Sequence, residues 1–206
     1  CCRLCLRTIS SIYNQKHDSY QIILVCNEKP AGVIENERCT VIEENFPLPE
    51  SREDRMRDKW LKLKRGFIEA RQYLPGYVMI VDADDLVSCR LVSYVHDVPL
   101  CNGWYFDRGY VYEEDTSWVL DYSGFHLLCG TSSIRWCYPE DMPDSMESVR
   151  EHYWILKLGH NILVDGMCDL GKPLSPLPFH GAVYVTGHGE NWSNMSIRRW
   201  GGIRQF

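Results

Sequence analysis

The chain has 206 residues, of which 45% are hydrophobic and 24% charged, with a formal net charge of −6. That is a globular composition with length enough for a core. The acidic balance and the lack of a basic stripe argue against a nucleic-acid partner, and no apolar run reaches the roughly 18 residues of a membrane span. Cys2-x-x-Cys5 has no second CxxC at zinc-finger spacing, and the other cysteines are scattered, several inside apolar segments. They read as reduced, buried residues, so a cytoplasmic compartment without a signal peptide is expected. Leu4, Ile9, Ile12 and Tyr13 predict a helix over 3–14, and QIILVC at 21–26 a buried strand. A short strand at 39–43 precedes the loop Phe46-Pro47-Leu48-Pro49. Trp60, Leu63, Phe67, Ala70 and Leu74 share one face of a helix over 55–73, which Pro75-Gly76 stops. A strand at 77–81 and a short helix near 90–96 follow. This alternation predicts an α/β fold with a parallel, doubly wound sheet and 77–81 as its central strand. Residues 103–122 read as antiparallel strands or a hairpin, 129–133 as a small-residue loop, and 144–158 as a helix stopped by Gly159. From Pro173 to Phe206 the Pro, Gly and Trp content predicts loop wrapped over the domain. Asn191-Trp192-Ser193 and Asn194-Met195-Ser196 match the glycosylation sequon, a pattern common by chance.

The strand Tyr77-Val78-Met79-Ile80-Val81 runs straight into Asp82, Asp84 and Asp85. Three carboxylates at the end of a buried strand are costly unless a cation balances them. Mg²⁺ and Mn²⁺ take one or two carboxylates plus substrate phosphates, and ligands of open α/β sheets bind beyond the strands' carboxyl ends. Two readings follow: a metal site for a phosphorylated substrate, or an acidic turn with Asp85 or Ser88 capping the next helix.

Leu4, Thr8-Ile9-x-Ser11-Ile12 and Gln15, then QIILV, Gly66-x-x-x-Ala70-Arg71 and Val81-Asp82-Ala83-Asp84-Asp85, come in an order and at spacings that resemble glycosyltransferase family 2, its small bacterial members most closely. The resemblance spans about residues 3–100 and is loose beyond. It implies a GT-A fold: one domain over 1–206, a mixed sheet flanked by helices with a Rossmann-like first half. Residues 1–100 would form the nucleotide-binding half and 101–206 the acceptor side. It implies an inverting, metal-dependent transfer of a sugar from a nucleotide-sugar to a saccharide or other hydroxyl acceptor. Asp84 would bind Mn²⁺ or Mg²⁺ with Asp82 toward the ribose or sugar, and a one-residue slip would make Asp85 the ligand. A late histidine would complete the metal shell. His188, between Gly187 and Gly189, is favoured over His180 because glycine permits close backbone approach. Arg71 would approach the phosphates, whereas Lys64 and Arg65 read as a solvated helix face.

The chain departs from the family at three places. Nothing before Arg3 matches the family's opening strand, so the 206-residue chain is expected to bind nucleotide poorly. Cys26-Asn27-Glu28-Lys29 replaces the usual Asp-Asp-Gly-Ser turn, which leaves either Glu28 as a substitute contact to the base or a different mode of base recognition. The Glu-Asp pair that supplies the general base maps onto Glu147-Ser148 or Glu151-His152, and on the predicted helix Glu147 and Glu151 share a face. Two alternatives stand beside the transferase: a non-catalytic GT-A-like binding module, and a nucleotidyltransferase on a similar fold.

Overall fold

A computed structural model describes residues 2–189 and 204–205, with side chains from residue 3 to 189. The sequons and Glu190-Asn191 lie outside the described residues. Helix α1 (Cys2–Tyr13) forms where the spacing predicts; it buries Leu4 and Ile9 together with Cys5 and Thr8, while Ile12 and Tyr13 are half-buried. Strands β1 (Ile22–Cys26) and β2 (Cys39–Glu43) follow. Helix α2 (Arg52–Ala70) starts on a capping box: Ser51 Oγ accepts the Asp54 N–H at 3.1 Å, and the Asp54 carboxylate accepts the Ser51 N–H at 3.0 Å. A 3-10 turn, Arg71–Tyr73, ends it. Then come β3 (Gly76–Met79), β4 (Leu86–Val87), α3 (Leu91–Asp97), β5 (Gly103–Tyr105), β6 (Arg108–Glu113) and β7 (Trp118–Ser123). The chain continues through α4 (Phe125–Leu128), β8 (Ser133–Cys137), α5 (Trp154–Lys157), α6 (Leu163–Asp169), β9 (Ser175–Pro176), β10 (Ala182–Thr186) and β11 (Arg204–Gln205).

The architecture is mixed α/β, with mixed sheets flanked by helices. The sheet orders are β1-β2, β11-β7-β6-β10-β4 and β3-β8-β5-β9. Three expectations are corrected here. Strand β3 ends at Met79 and stands at the end of its sheet rather than at the centre. The doubly wound parallel sheet expected of the first half is limited to the β1–β2 pair. The segment from Pro173 is more than wrapping loop, since it contains β10, an interior strand. Among the described residues no helix is long and apolar enough to cross a membrane.

The chain forms two compact units of interleaved segments, which do not follow a division at residue 100. One comprises Cys1–Asp18, Met79–Arg135 and His160–Phe206; the other Ser19–Val78 and Trp136–Gly159. In the first unit β10 pairs parallel with β6 and antiparallel with β4, and β6 and β7 form an antiparallel hairpin. One face of this sheet packs Val111 and Leu120 with Tyr122, Leu128 and Tyr184. Alternation along the strands therefore sends Arg108, Tyr110 and Asp121 to the other face, Tyr110 directly opposite Asp121. Gly109 points at the core, where a Cβ would stand 2.3 Å from the fully buried Phe125 ring.

In the second unit α2 lies on β1, with Gly66 facing Val25 and Ile23. Two cations seven residues apart, one on α2 and one at the start of the 3-10 turn that ends it, hold the segment after β8. Lys64 Nζ donates to the carbonyls of Met146 and Ser148, and Arg71 Nη1 to those of Pro139 (2.7 Å) and Met142 (2.9 Å). The helix expected over 144–158 is not formed: a 3-10 turn at Arg150–His152 and the single turn of α5 replace it. Side chains outcompete the helical ladder here, because Ser148 Oγ donates to Asp144 Oδ1 at 2.6 Å and accepts the Ser145 N–H at 3.2 Å.

Candidate metal and nucleotide site

The acidic turn lies in the first unit, and its geometry follows from where its backbone hydrogen bonds go. Beyond β3 the Asp82 N–H leaves the ladder and donates to Thr131 Oγ1 at 2.9 Å. The Asp85 N–H then closes a turn on the Asp82 carbonyl at 3.1 Å. Helix α1 fixes the segment that follows. Ser11 Oγ accepts the Val87 N–H (3.1 Å), while Gln15 donates to the Ser88 carbonyl (2.8 Å) and accepts the Val92 N–H (3.0 Å). Ser11 and Gln15 of the sequence motif thus act as braces for the turn. Neither Asp85 nor Ser88 is the N-cap of α3: that position is Arg90, which makes no side-chain capping bond.

The three carboxylates face different ways. Asp85 is fully buried; its Oδ2 accepts the Cys129 thiol at 3.1 Å and its Oδ1 the Val185 N–H at 3.4 Å, with the Thr131 hydroxyl also bonded to it. Burial, then the charges of Asp82 and Asp84, push its pKa up to about 8, so at neutral pH it is mainly the uncharged acid. The same burial, with Asp85 beside it, pushes the Cys129 thiol well above its usual value. Asp82 and Asp84 are half-buried. Asp84 Oδ2 lies 3.2 Å from His188 Nε2, and the His188 side chain is 3% exposed. The sequence delivers His188 there through two left-handed glycines past the end of β10, Gly187 (φ 83°) and Gly189 (φ 79°), a conformation costly for other residues.

Asp82, Asp84, Asp85 and His188 are thus brought together. Asp84 Oδ2 and His188 Nε2 lie side by side, 3.2 Å apart, while Asp85 turns into the interior. Among the described residues no group of three or more His, Cys, Asp and Glu side chains is arranged to hold a metal ion. Asp84 and His188 are thus two neighbouring donors, short of an all-protein cage. The other sequence candidates belong to the second unit. Arg71, expected at phosphates, spends its guanidinium on the two loop carbonyls instead. Glu28 is exposed in the bend after β1. Glu147 lies in a turn and Glu151 in the 3-10 turn, both exposed, so the shared helical face does not exist. Sequence reasoning marked 129–133 only as a small-residue loop. Cys129 and Thr131 prove to be the support of the acidic turn, and a thiol and a hydroxyl two residues apart in a run of small residues was the available signal.

No family model matches the chain, and no curated protein or solved structure matches it.

Proposed function

We propose that this chain is a metal-dependent glycosyltransferase of GT-A type, moving a sugar from a nucleotide-sugar to a hydroxyl acceptor. The observation that carries the reading is the meeting of Asp84 with His188, half the chain away in sequence, at the end of an acidic turn. Asp84 Oδ2 and His188 Nε2 would hold the cation, and the diphosphate of the donor would complete its shell. A bound cation would act as a Lewis acid on the departing nucleoside diphosphate. A mixed oxygen and nitrogen donor pair suits Mn²⁺ better than Mg²⁺, which prefers oxygen. Asp85, neutral and hydrogen-bonded on both oxygens, keeps the turn rigid without adding a third negative charge. An inverting transfer also needs a proton acceptor for the acceptor hydroxyl, and Glu151 and Glu147 are the residues to replace in the search for it.

The replacement of the 144–158 helix by one 3-10 turn and the short α5 favours a second reading, a module that binds nucleotide without transfer. Calorimetry with a panel of nucleoside diphosphates, with and without Mn²⁺, tests the site. Binding should require the metal and be lost in Asp84→Asn and in His188→Gln. Binding that ignores both the metal and these replacements overturns the proposal. Given metal-coupled binding, release of free nucleoside diphosphate from a nucleotide-sugar separates transferase from module. Release of pyrophosphate would instead indicate nucleotidyl transfer.

A further inference from the structure

A second group of reactive side chains stands on the five-stranded sheet of the first unit, at the opposite end of β10 from His188. Asp121 on β7 binds two partners through its two oxygens: His180 Nε2 lies 2.9 Å from Oδ1, and Arg108 Nη2 on β6 donates to Oδ2 at 2.6 Å. The His180 ring stacks on Tyr110 with centroids 4.2 Å apart and planes within 6°. His180 is two residues before β10 and His188 two residues after it. At about 3.3 Å per strand residue, the five strand residues among the seven between them put the two imidazoles some 15 Å or more apart.

The group is held stiffly from behind. A Cβ on Gly181 would stand 2.5 Å from the Phe106 ring, and one on Gly109 would collide with Phe125, so the backbone on either side of Arg108, Tyr110 and His180 is pressed against fully buried rings. Nδ1 of His180 has no hydrogen-bond partner among the described residues. The Arg108 side chain is 53% exposed and uses one nitrogen on Asp121, leaving its other donors to solvent. An imidazole with one nitrogen fixed by a carboxylate and its face fixed by a ring is set in one tautomer, Nε2–H toward the carboxylate and a lone pair on Nδ1.

We propose that Arg108, Asp121 and His180 form a second small-molecule site, separate from the Asp84–His188 site. It takes a hydroxylated ligand bearing a phosphate or carboxylate group. Arg108 receives the anion on its free donors, as guanidinium forks do. His180 orients the hydroxyl: the ligand O–H donates a hydrogen bond to the Nδ1 lone pair, while Asp121 accepts the Nε2–H on the other side of the ring. Nothing in this site depends on the metal reading, so either proposal can fail alone.

The test is ¹⁵N imidazole NMR on the full chain at a pH where the ring is neutral, titrating inorganic phosphate in one series and acetate in another. The expected result is His180 in the Nε2–H tautomer, with its resonances shifted by at least one anion. The shift is lost in Arg108→Gln, whose exposed position leaves the fold intact, and the tautomer preference is lost in Asp121→Asn. A response to phosphate alone assigns a phosphorylated ligand, and a response to acetate alone a carboxylate. The Nδ1–H tautomer, no shift with either anion, or a shift that survives in Arg108→Gln overturns the proposal.

Discussion

Strand β10 carries a histidine beyond each end, and each meets an aspartate, yet the two meetings are built differently. At the His188 end the backbone turns through left-handed glycines, the ring is almost fully enclosed, and the carboxylate comes from a turn braced by buried hydrogen bonds. At the His180 end neither Gly109 nor Gly181 is left-handed, the glycines serve to admit phenylalanine rings, and the carboxylate comes from the register of two antiparallel strands. The first end is specified by local chain conformation and the second by packing, so different substitutions should break them.

The largest effect should come from Asp85→Ala. It leaves the Cys129 thiol and the Thr131 hydroxyl without their buried acceptor, and unsatisfied groups of this kind cost about 3 kcal/mol together. Urea unfolding should show that loss, with metal-coupled nucleotide binding falling in parallel and the His180 tautomer unmoved in the folded fraction. Gly181→Ala should cost about 2 kcal/mol by overpacking against Phe106 and disturb His180 alone. Gly187→Ala should cost about 1 kcal/mol, because it forces a side chain into a left-handed backbone and brings its Cβ to 3.0 Å from Glu113 Cγ. It should disturb His188 alone. If Gly181→Ala weakened metal-coupled binding as much as Gly187→Ala, the two ends would not be independent.

Titration sharpens the contrast further. The folded-state pKa of Asp85, about 8, lies above the unfolded value of about 3.9, so the native state holds the extra proton between them. The stability this confers is complete below about pH 4 and is lost as the pH rises through about 8. Unfolding free energies measured across that window should therefore fall toward alkaline pH in the parent chain and be flatter in Asp85→Asn. At the other end His180, and then Arg108, hold the Asp121 carboxyl below its usual range, so its smaller contribution is lost as the pH falls into the acid range. Asp121→Asn should change stability by less than about 1 kcal/mol, since the pair is partly open to solvent. Its effect should be seen in the ring tautomer instead.

The same distinction governs how much was legible in the sequence. Helices α1 and α2 and strands β1 and β2 carry their own periodicity, caps and apolar runs, and they form where those signals lie. The acidic turn and His188 could be singled out because carboxylates at a strand end and paired glycines are local signs. The place of β3 in its sheet was not legible, because strand partners are chosen by residues far away in sequence. The 144–158 segment misled because its helical spacing was outweighed by Asp144, Ser145 and Ser148 bonding one another, and by Lys64 and Arg71 taking carbonyls from the loop. His180 was visible beside its glycine, but its pairing with Asp121 left no mark in the sequence, since only the hairpin register places Asp121 opposite Tyr110.

Because β10 is hydrogen-bonded to β6 on one side and β4 on the other, the spacing between its two histidines is locked into the ladder. Deleting or inserting one residue within Ala182–Thr186 would invert every side chain downstream of the change and pull one histidine out of reach of its aspartate. The strand is thus a fixed ruler between two histidine–aspartate pairs, and it should tolerate exchange of residue types far better than any change of length.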